Sequence, residues 1–394
     1  MYEAVSAALK AHGEWIKLSP VERAEFFKMP LETLKARRMY YAALVTVSTG
    51  MVREDALREV DTLIDIISRA VSDASGAGKG KTGVWAVISA HNSPLATPVG
   101  YAVAAMIAGN AVVMAPSKYC PSPVYAFYSL TEKAGLPGGV LNLIADRKDS
   151  SAEELANDSR LTGVVAAGSG ERLEDLMFLQ VDDELSFINE LKGMNPVLVY
   201  RPSNIKAAAR EIADSAFYYS GQGMFSCSKV IITADEQDQF INALADRMSE
   251  LSVSDPVNDT SFTGPVISKE AARKYSELAS EYSGFVISET RPDCGDLRGP
   301  YVPLIAVSGL DEDCDLNYMD SGFPVLNVKV TGGIGDALEE LENTECGLSA
   351  GIFTKDSKVL ERFRETVQVP CVFVNEGSRS LRPGIRARVS EFIL

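Results

Sequence analysis

The strongest constraint on this chain is a change of hydrophobic period near residue 83. The first 75 residues carry apolar side chains at helical spacing. Ser19-Pro20-Val21-Glu22 has the form of a capping box with proline at the first helical position, and Leu31 to Val47 reads as one helical stripe. After the Gly- and Lys-rich loop Ser75 to Gly83, short apolar runs alternate with helices. "GVWAVIS", "NAVVMA", "GVLNLI" and "LTGVVAA" are predicted strands, and Thr97–Ala108, Ser122–Ala134 and Ala152–Asn157 are the helices between them. Strands joined through helices need right-handed crossovers, which implies a parallel, Rossmann-like sheet covered on both faces.

A second series follows "ELKGMNPVLVY": a helix Asn204–Tyr219, a strand Lys229–Thr233, a helix Gln237–Leu251 and further alternation to Val374. A length of 394 residues suits two domains. The expected fold is α/β, with a dinucleotide-binding-type domain over residues 1–192, a second, catalytic-type α/β domain over 193–377, and a tail, 378–394, able to serve as an oligomerisation strand.

Composition excludes several function classes. Lys plus Arg number 38 against 54 Asp plus Glu, a net charge of −16. That field repels phosphate backbones and anionic lipid, so neither a nucleic acid nor a membrane surface is the expected partner, although a local basic pocket for one anion is allowed. The most apolar region, Gly83 to Ala115, is broken by His91, Asn92, Pro94, Pro98, Gly109 and Asn110, and does not read as a membrane span. The N-terminal "MYEAVSAALKAHGEW" has no leader pattern, so a cytoplasmic location is expected. The six cysteines lack C-x-x-C spacing, and only His12 and His91 could supply imidazole, so no metal is expected. Lys79 and Lys81 fall out of register with the G-x-x-x-x-G-K-[ST] phosphate loop.

Several ordered motifs carry a more specific signal. "AVISAHNSPLATPVGYAVAAMIAGNAVVMAPSKYCPSP", "AGLPGGVLNLI", "ELKGMNPVLV", "SGQGMFSCSK", "GPVISKEA" and "NTECGLSAGIFTKD" together resemble the aldehyde dehydrogenase superfamily along most of the chain, and "SGQGMFSCSK" is most similar to the enzymes that oxidise glutamate semialdehyde, the open form of 1-pyrroline-5-carboxylate. The resemblance implies NAD(P)-dependent oxidation of a small-molecule aldehyde to a carboxylate. That chemistry needs a thiolate nucleophile, donors for an oxyanion and a carboxylate base.

By this resemblance Asn92 matches the oxyanion-stabilising amide; on its own residues it is also a turn former before Ser93-Pro94. Glu190 matches the general base, and equally reads as a charge paired with Lys192. Aligning Gly221-Gln222 on the family pattern puts Met224 where the thiol belongs. A thioether forms no thioester, which leaves open a homologue that binds without catalysing. Cys227 is the one nearby thiol, as a substitute nucleophile or as a small buried hydrophobe. The implied cofactor residues are Ser89, Pro116, Ser117, Lys118, Gly168, Ser169 and Asp320. In "APSK" the family's glutamate has become Lys118, which favours NADP over NAD. The family's β-hairpin before "GVWAVIS" is reduced to the Gly/Lys loop, and the ending "RVSEFIL" could act as an exchanged strand, so a homodimer is expected.

Overall fold

In the computed structural model, all residues are described except 1, 79, 81, 146–149, 170–172, 174, 175, 177–184, 294, 296, 297, 385 and 394. Lys79, Lys81, Cys294 and the helix start expected just after Ser169 therefore lie outside the described residues. The chain divides into two compact units. The first holds Met1–Thr49, Arg53–Leu191 and Arg382–Leu394, and the second Gly50–Val52 and Lys192–Leu381.

The first unit opens with four helices: α1 (Tyr2–Trp15), α2 (Pro20–Ala36), α3 (Arg38–Thr49) and α4 (Arg53–Asp73). The capping box is formed, Ser19 Oγ accepting from Glu22 N at 3.3 Å and Glu22 Oε2 from Ser19 N at 2.7 Å. The stripe read as one helix over Leu31 to Val47 is broken at Arg37, whose backbone (φ −114°, ψ 26°) ends α2 before α3 begins. Neither glycine nor proline stands at that junction, so the apolar periodicity runs across it without a mark.

Next come β1 (Val84–Ser89), α5 (Ala96–Ala108), β2 (Ala111–Ala115), α6 (Pro121–Lys133), β3 (Leu141–Leu143), α7 (Ser150–Ala156), β4 (Gly163–Gly168) and β5 (Ser186–Leu191). The strands form a wholly parallel sheet in the order β3-β2-β1-β4-β5. Every residue of β1, β2 and β4 is buried, which is why these segments read as continuous apolar runs without polar alternation. Each residue of α5 is buried too, and its small side chains allow that close packing. Among the described residues no strand lies between Gly76 and Val84.

The tail folds on the first unit. "RVSEFIL", expected as an exchanged strand, contains a 3₁₀ turn, Val389–Phe392. Phe392 meets the Trp85 ring at 4.7 Å and 73°, and its carbonyl accepts from Asn110 Nδ2 at 3.2 Å. Burial of Ala387, Val389 and Phe392 gives this segment an intramolecular seat.

The second unit holds β6 (Val197–Val199), α8 (Ile205–Phe217), β7 (Lys229–Thr233), α9 (Gln237–Glu250), α10 (Lys269–Glu281), β8 (Val286–Thr290), β9 (Leu304–Ser308), β10 (Val325–Thr331), α11 (Ile334–Glu342), β11 (Ser349–Phe353), α12 (Ser357–Thr366) and β12 (Cys371–Val374). Its sheet order is β12-β11-β6-β7-β10-β9-β8, parallel except for the β8–β9 pair at one edge. Lys229 is buried in this unit and fully satisfied: its ammonium donates to Asn317 O at 2.7 Å, Glu340 Oε1 at 2.6 Å and Thr344 Oγ1 at 2.8 Å. Gly347 (φ +73°) lies so close to Gly193 that a Cβ on it would sit 2.4 Å from the Gly193 Cα, which accounts for the glycine in "ECGLSAG".

Candidate functional site

In the first unit's strand order the chain runs outward from β1 through β2 to β3, then returns to β4 and β5 on the other side. The C-terminal ends of β1 and β4 are therefore the switch point, where open parallel sheets bind ligands. Ser89 ends β1 there. Its hydroxyl is buried and has no hydrogen-bond partner among the described residues. A buried hydroxyl without a partner is costly, and a ligand group is the natural way to satisfy it.

Asn92, in the loop after β1, is buried and joins the two strand ends. Its Oδ1 accepts from Ser169 N at 2.9 Å and its Nδ2 donates to Ser169 Oγ at 2.9 Å. The amide expected to face an oxyanion thus holds the residue after β4. Gly168 has φ +123°, and a Cβ there would meet Ala90 Cβ at 2.5 Å and Asn92 Oδ1 at 2.9 Å, so only glycine fits.

A buried carboxylate supports this loop. Glu59 Oε1, on α4, accepts from Ser93 Oγ at 2.7 Å, Leu95 N at 3.0 Å and Ala96 N at 2.8 Å. Burial pushes its pKa up despite these three bonds. It caps α5 and fixes the Asn92 loop, a role the sequence did not disclose because the partners lie 34 to 37 positions away.

At the end of β2 the loop holds Pro116, Ser117 and Lys118. Ser117 Oγ accepts from Tyr119 N at 3.3 Å, and the Lys118 ammonium lies 5.1 Å from the Tyr119 ring centroid. The His91 ring meets Tyr119 edge-on at 6.2 Å, so the loops after β1 and β2 adjoin.

Glu190 lies near the end of β5 and is 1% exposed. Its carboxylate accepts from the Tyr101 hydroxyl, on α5, and from Gly384 N of the tail at 2.5 Å. Burial, then the Glu190 charge, holds the Tyr101 phenol well above its ordinary pKa, so it stays a proton donor to that carboxylate.

In the second unit the Gly-Gln stretch forms a tight turn. Tyr219 (φ 48°), Ser220 (φ 52°) and Gly221 (φ +72°) are consecutive left-handed residues, a strain of about 1–3 kcal/mol for each non-glycine one. Ser220 N donates to Thr263 Oγ1 at 2.7 Å and Ser220 Oγ to Gly264 O at 2.6 Å. Gln222 Nε2 donates to Tyr219 O at 3.0 Å, while its Oε1 accepts from Ile267 N at 2.8 Å. The last bond ties "SGQG" to "GPVISKEA", two motifs of the resemblance. Asn195 Nδ2 reaches the Met224 carbonyl at 3.1 Å and the Ser226 carbonyl at 3.2 Å. Asn195 is the residue a motif reading misses; Asn before Pro in "KGMNP" is the only hint.

The turn fixes Met224, 2% exposed. Cys227 lies in the apolar core, its thiol donating to Lys229 O at 3.3 Å. Burial pushes its pKa up to about 12, against the ordinary range for a thiol, and it is protonated at neutral pH. Asp320 pairs with the Lys192 ammonium, both side chains being almost wholly covered, and Asp320 Oδ1 is buried with no partner among the described residues. The Lys192 charge is thus spent on Asp320, 128 positions away.

The family model described as the aldehyde dehydrogenase family matches residues 1–384. The chain belongs to that family. It is 27% identical over 400 residues to a 1-pyrroline-5-carboxylate dehydrogenase from Geobacillus sp. (strain WCH70), covering 95% of this chain and 77% of the relative. An alpha-ketoglutarate semialdehyde dehydrogenase from Haloferax volcanii is 28% identical over 400 residues, covering 96% and 82%. The structure of betaine aldehyde dehydrogenase from Staphylococcus aureus in complex with NAD+ superposes with a TM-score of 0.87 at 22% identity, over 95% of this chain and 78% of that one. At that identity the likeness is one of fold. Among the described residues no cluster of His, Cys, Asp and Glu could hold a metal ion, and no helix is long and apolar enough to cross a membrane.

Proposed function

We propose that this family member is a nicotinamide-dinucleotide-dependent oxidoreductase whose substrate class is a small semialdehyde, oxidised to a carboxylate. The observation that carries the reading is the family match along residues 1–384. The residues of the first unit fit the cofactor: Ser89 offers an unsatisfied hydroxyl at the end of β1, and Gly168, where a side chain would collide with Ala90 and Asn92, lets β4 end against the same loop. When bound, the cofactor supplies hydride acceptance. Ser89, Gly168, Ser169 and the Pro116–Lys118 loop would hold it, and the Lys118 cation favours a 2′-phosphate, hence NADP. In the second unit Asp320 keeps one oxygen for a hydroxyl while Lys192 neutralises its charge. Asn92 positions the backbone after β4. Glu190 is the one buried carboxylate at the end of β5, and to act as a base it must leave Tyr101 and Gly384. A homodimer fits the shortened hairpin, and six cysteines without C-x-x-C spacing fit a reducing, cytoplasmic setting.

A second reading is favoured by one observation: Met224 has no ionisable proton and Cys227 is a protonated core thiol, so neither forms a thioester. On that reading the chain keeps the ligand frame of the family and works by binding. Wild type, Met224→Cys and Cys227→Ala should be assayed for aldehyde-dependent cofactor reduction with glutamate semialdehyde. The first reading expects turnover by wild type that is abolished in Cys227→Ala, because the chemistry needs a thiolate and Cys227 is the one nearby thiol. Cofactor binding with no turnover in wild type, and turnover gained by Met224→Cys, would establish the second.

A further inference from the structure

In the first unit a cavity of about 460 Å³ opens between α3 and α6, and none of the site residues described above lines it. Its volume is in the range of small-molecule pockets. Arg37 and Lys133 both line it, and neither has a carboxylate partner among the described residues, in a chain whose net charge is −16. Two such cations at one cavity mark a place where an anion is attracted against the field of the whole molecule.

Three tyrosines, Tyr40, Tyr41 and Tyr125, line the same cavity. Tyr40 is 50% exposed and Tyr125 60% exposed, so two large rings stand open at the cavity. The Arg37 guanidinium lies 5.3 Å from the Tyr40 ring centroid, and Tyr40 packs edge to face on Tyr41 at 5.3 Å and 86°. Tyr41 is buried, and burial pushes its phenol up to about 12, leaving a neutral hydroxyl donor. Tyr125 is held by near-parallel stacking on Tyr128 at 6.4 Å and 19°. The Tyr128 hydroxyl is bonded to Glu132, which engages the carboxylate adjacent to Lys133 in sequence.

We propose that this cavity is a binding site for a small aromatic anion, a planar ring carrying a carboxylate or a phosphate. The ring would stack on Tyr40 and Tyr125, and the anionic group would sit between Arg37 and Lys133, with the Ser129 hydroxyl as a further donor. Guanidinium and ammonium both recognise either anion, so the wall alone does not distinguish the two.

The test is calorimetry on the full chain with phenyl phosphate and benzoate, with inorganic phosphate and cyclohexanecarboxylate as probes lacking the aromatic ring. At least one aromatic probe should bind saturably, and the tighter of the two names the anionic group. Arg37→Gln and Lys133→Gln should each weaken it about tenfold, the value of a charge-assisted contact. Both residues are exposed, so their thermal transitions should match wild type. The proposal is overturned if neither aromatic probe binds, if inorganic phosphate or cyclohexanecarboxylate binds as tightly, or if the two variants leave affinity unchanged. Displacement of the probe by saturating NADP would also overturn it, because the ligand would then belong to the switch-point site.

Discussion

Replacing Lys192 by methionine keeps most of the side-chain volume and removes the charge that faces Asp320. The Lys192 side chain is 0% exposed and that of Asp320 8%, so the remaining carboxylate would be left buried with neither its ammonium partner nor a donor to Oδ1. Breaking a buried pair from one side costs about 3–5 kcal/mol, and Asp320→Asn, which strands the ammonium, should cost about 3 kcal/mol. The double variant Lys192→Met/Asp320→Asn carries no buried charge and should lose only about 1–2 kcal/mol. The double-mutant cycle should therefore show a coupling of at least about 4 kcal/mol. Urea unfolding followed by far-UV circular dichroism is the assay, since both tryptophans, Trp15 and Trp85, lie in the first unit. Single variants costing under about 1 kcal/mol, the value of an exposed pair, or strictly additive costs, would refute the assignment of this pair as a buried structural one.

Glu59→Ala removes the acceptor of three hydrogen bonds and should destabilise by about 3 kcal/mol, whereas Glu59→Gln keeps a carbonyl oxygen there and should lose about 1 kcal/mol. Because burial raises the Glu59 pKa in the folded state, its stabilising contribution is full below the ordinary glutamate range and declines as pH rises through the folded value; thermal melts from pH 4 to 8 should show Glu59→Gln gaining on wild type. Cys227 should resist iodoacetamide at pH 7.5 in the native protein and react after denaturation, as read by peptide mass spectrometry; rapid native labelling would contradict its buried, protonated state. Lys118→Glu should weaken NADP about tenfold more than NAD in calorimetry, and an equal effect on both would remove Lys118 from phosphate recognition.

Much of the architecture was legible because buried parallel strands write themselves as apolar runs without polar alternation, as in β1 and β2, bounded by Gly83, Asn110 and the loop after Ala115. The strand β8 was not separated from the general alternation: its partly exposed "VISET" is the antiparallel edge of the second sheet. The Met224 turn was legible from Gly221-Gln222, but the bonds that hold it, from Asn195 and to Ile267, join residues 29 and 45 positions apart. The same separation hid what occupies the carboxylates. Lys192 was read as the partner of Glu190, two positions away, yet in the fold it reaches Asp320, while Glu190 faces Tyr101 and the tail. β5 ends at Leu191, so Lys192 lies beyond the strand and does not keep the face that residues two apart share within one; only the tertiary fold decides which charges meet.

On the proposed function, the switch-point cradle of Ser89, Gly168 and the Lys118 loop binds a nicotinamide dinucleotide. Isothermal titration calorimetry of the wild-type protein with NADP and with NAD, side by side, tests it most directly. Saturable binding, tighter for NADP, is the expected result; no binding of either dinucleotide would contradict the account.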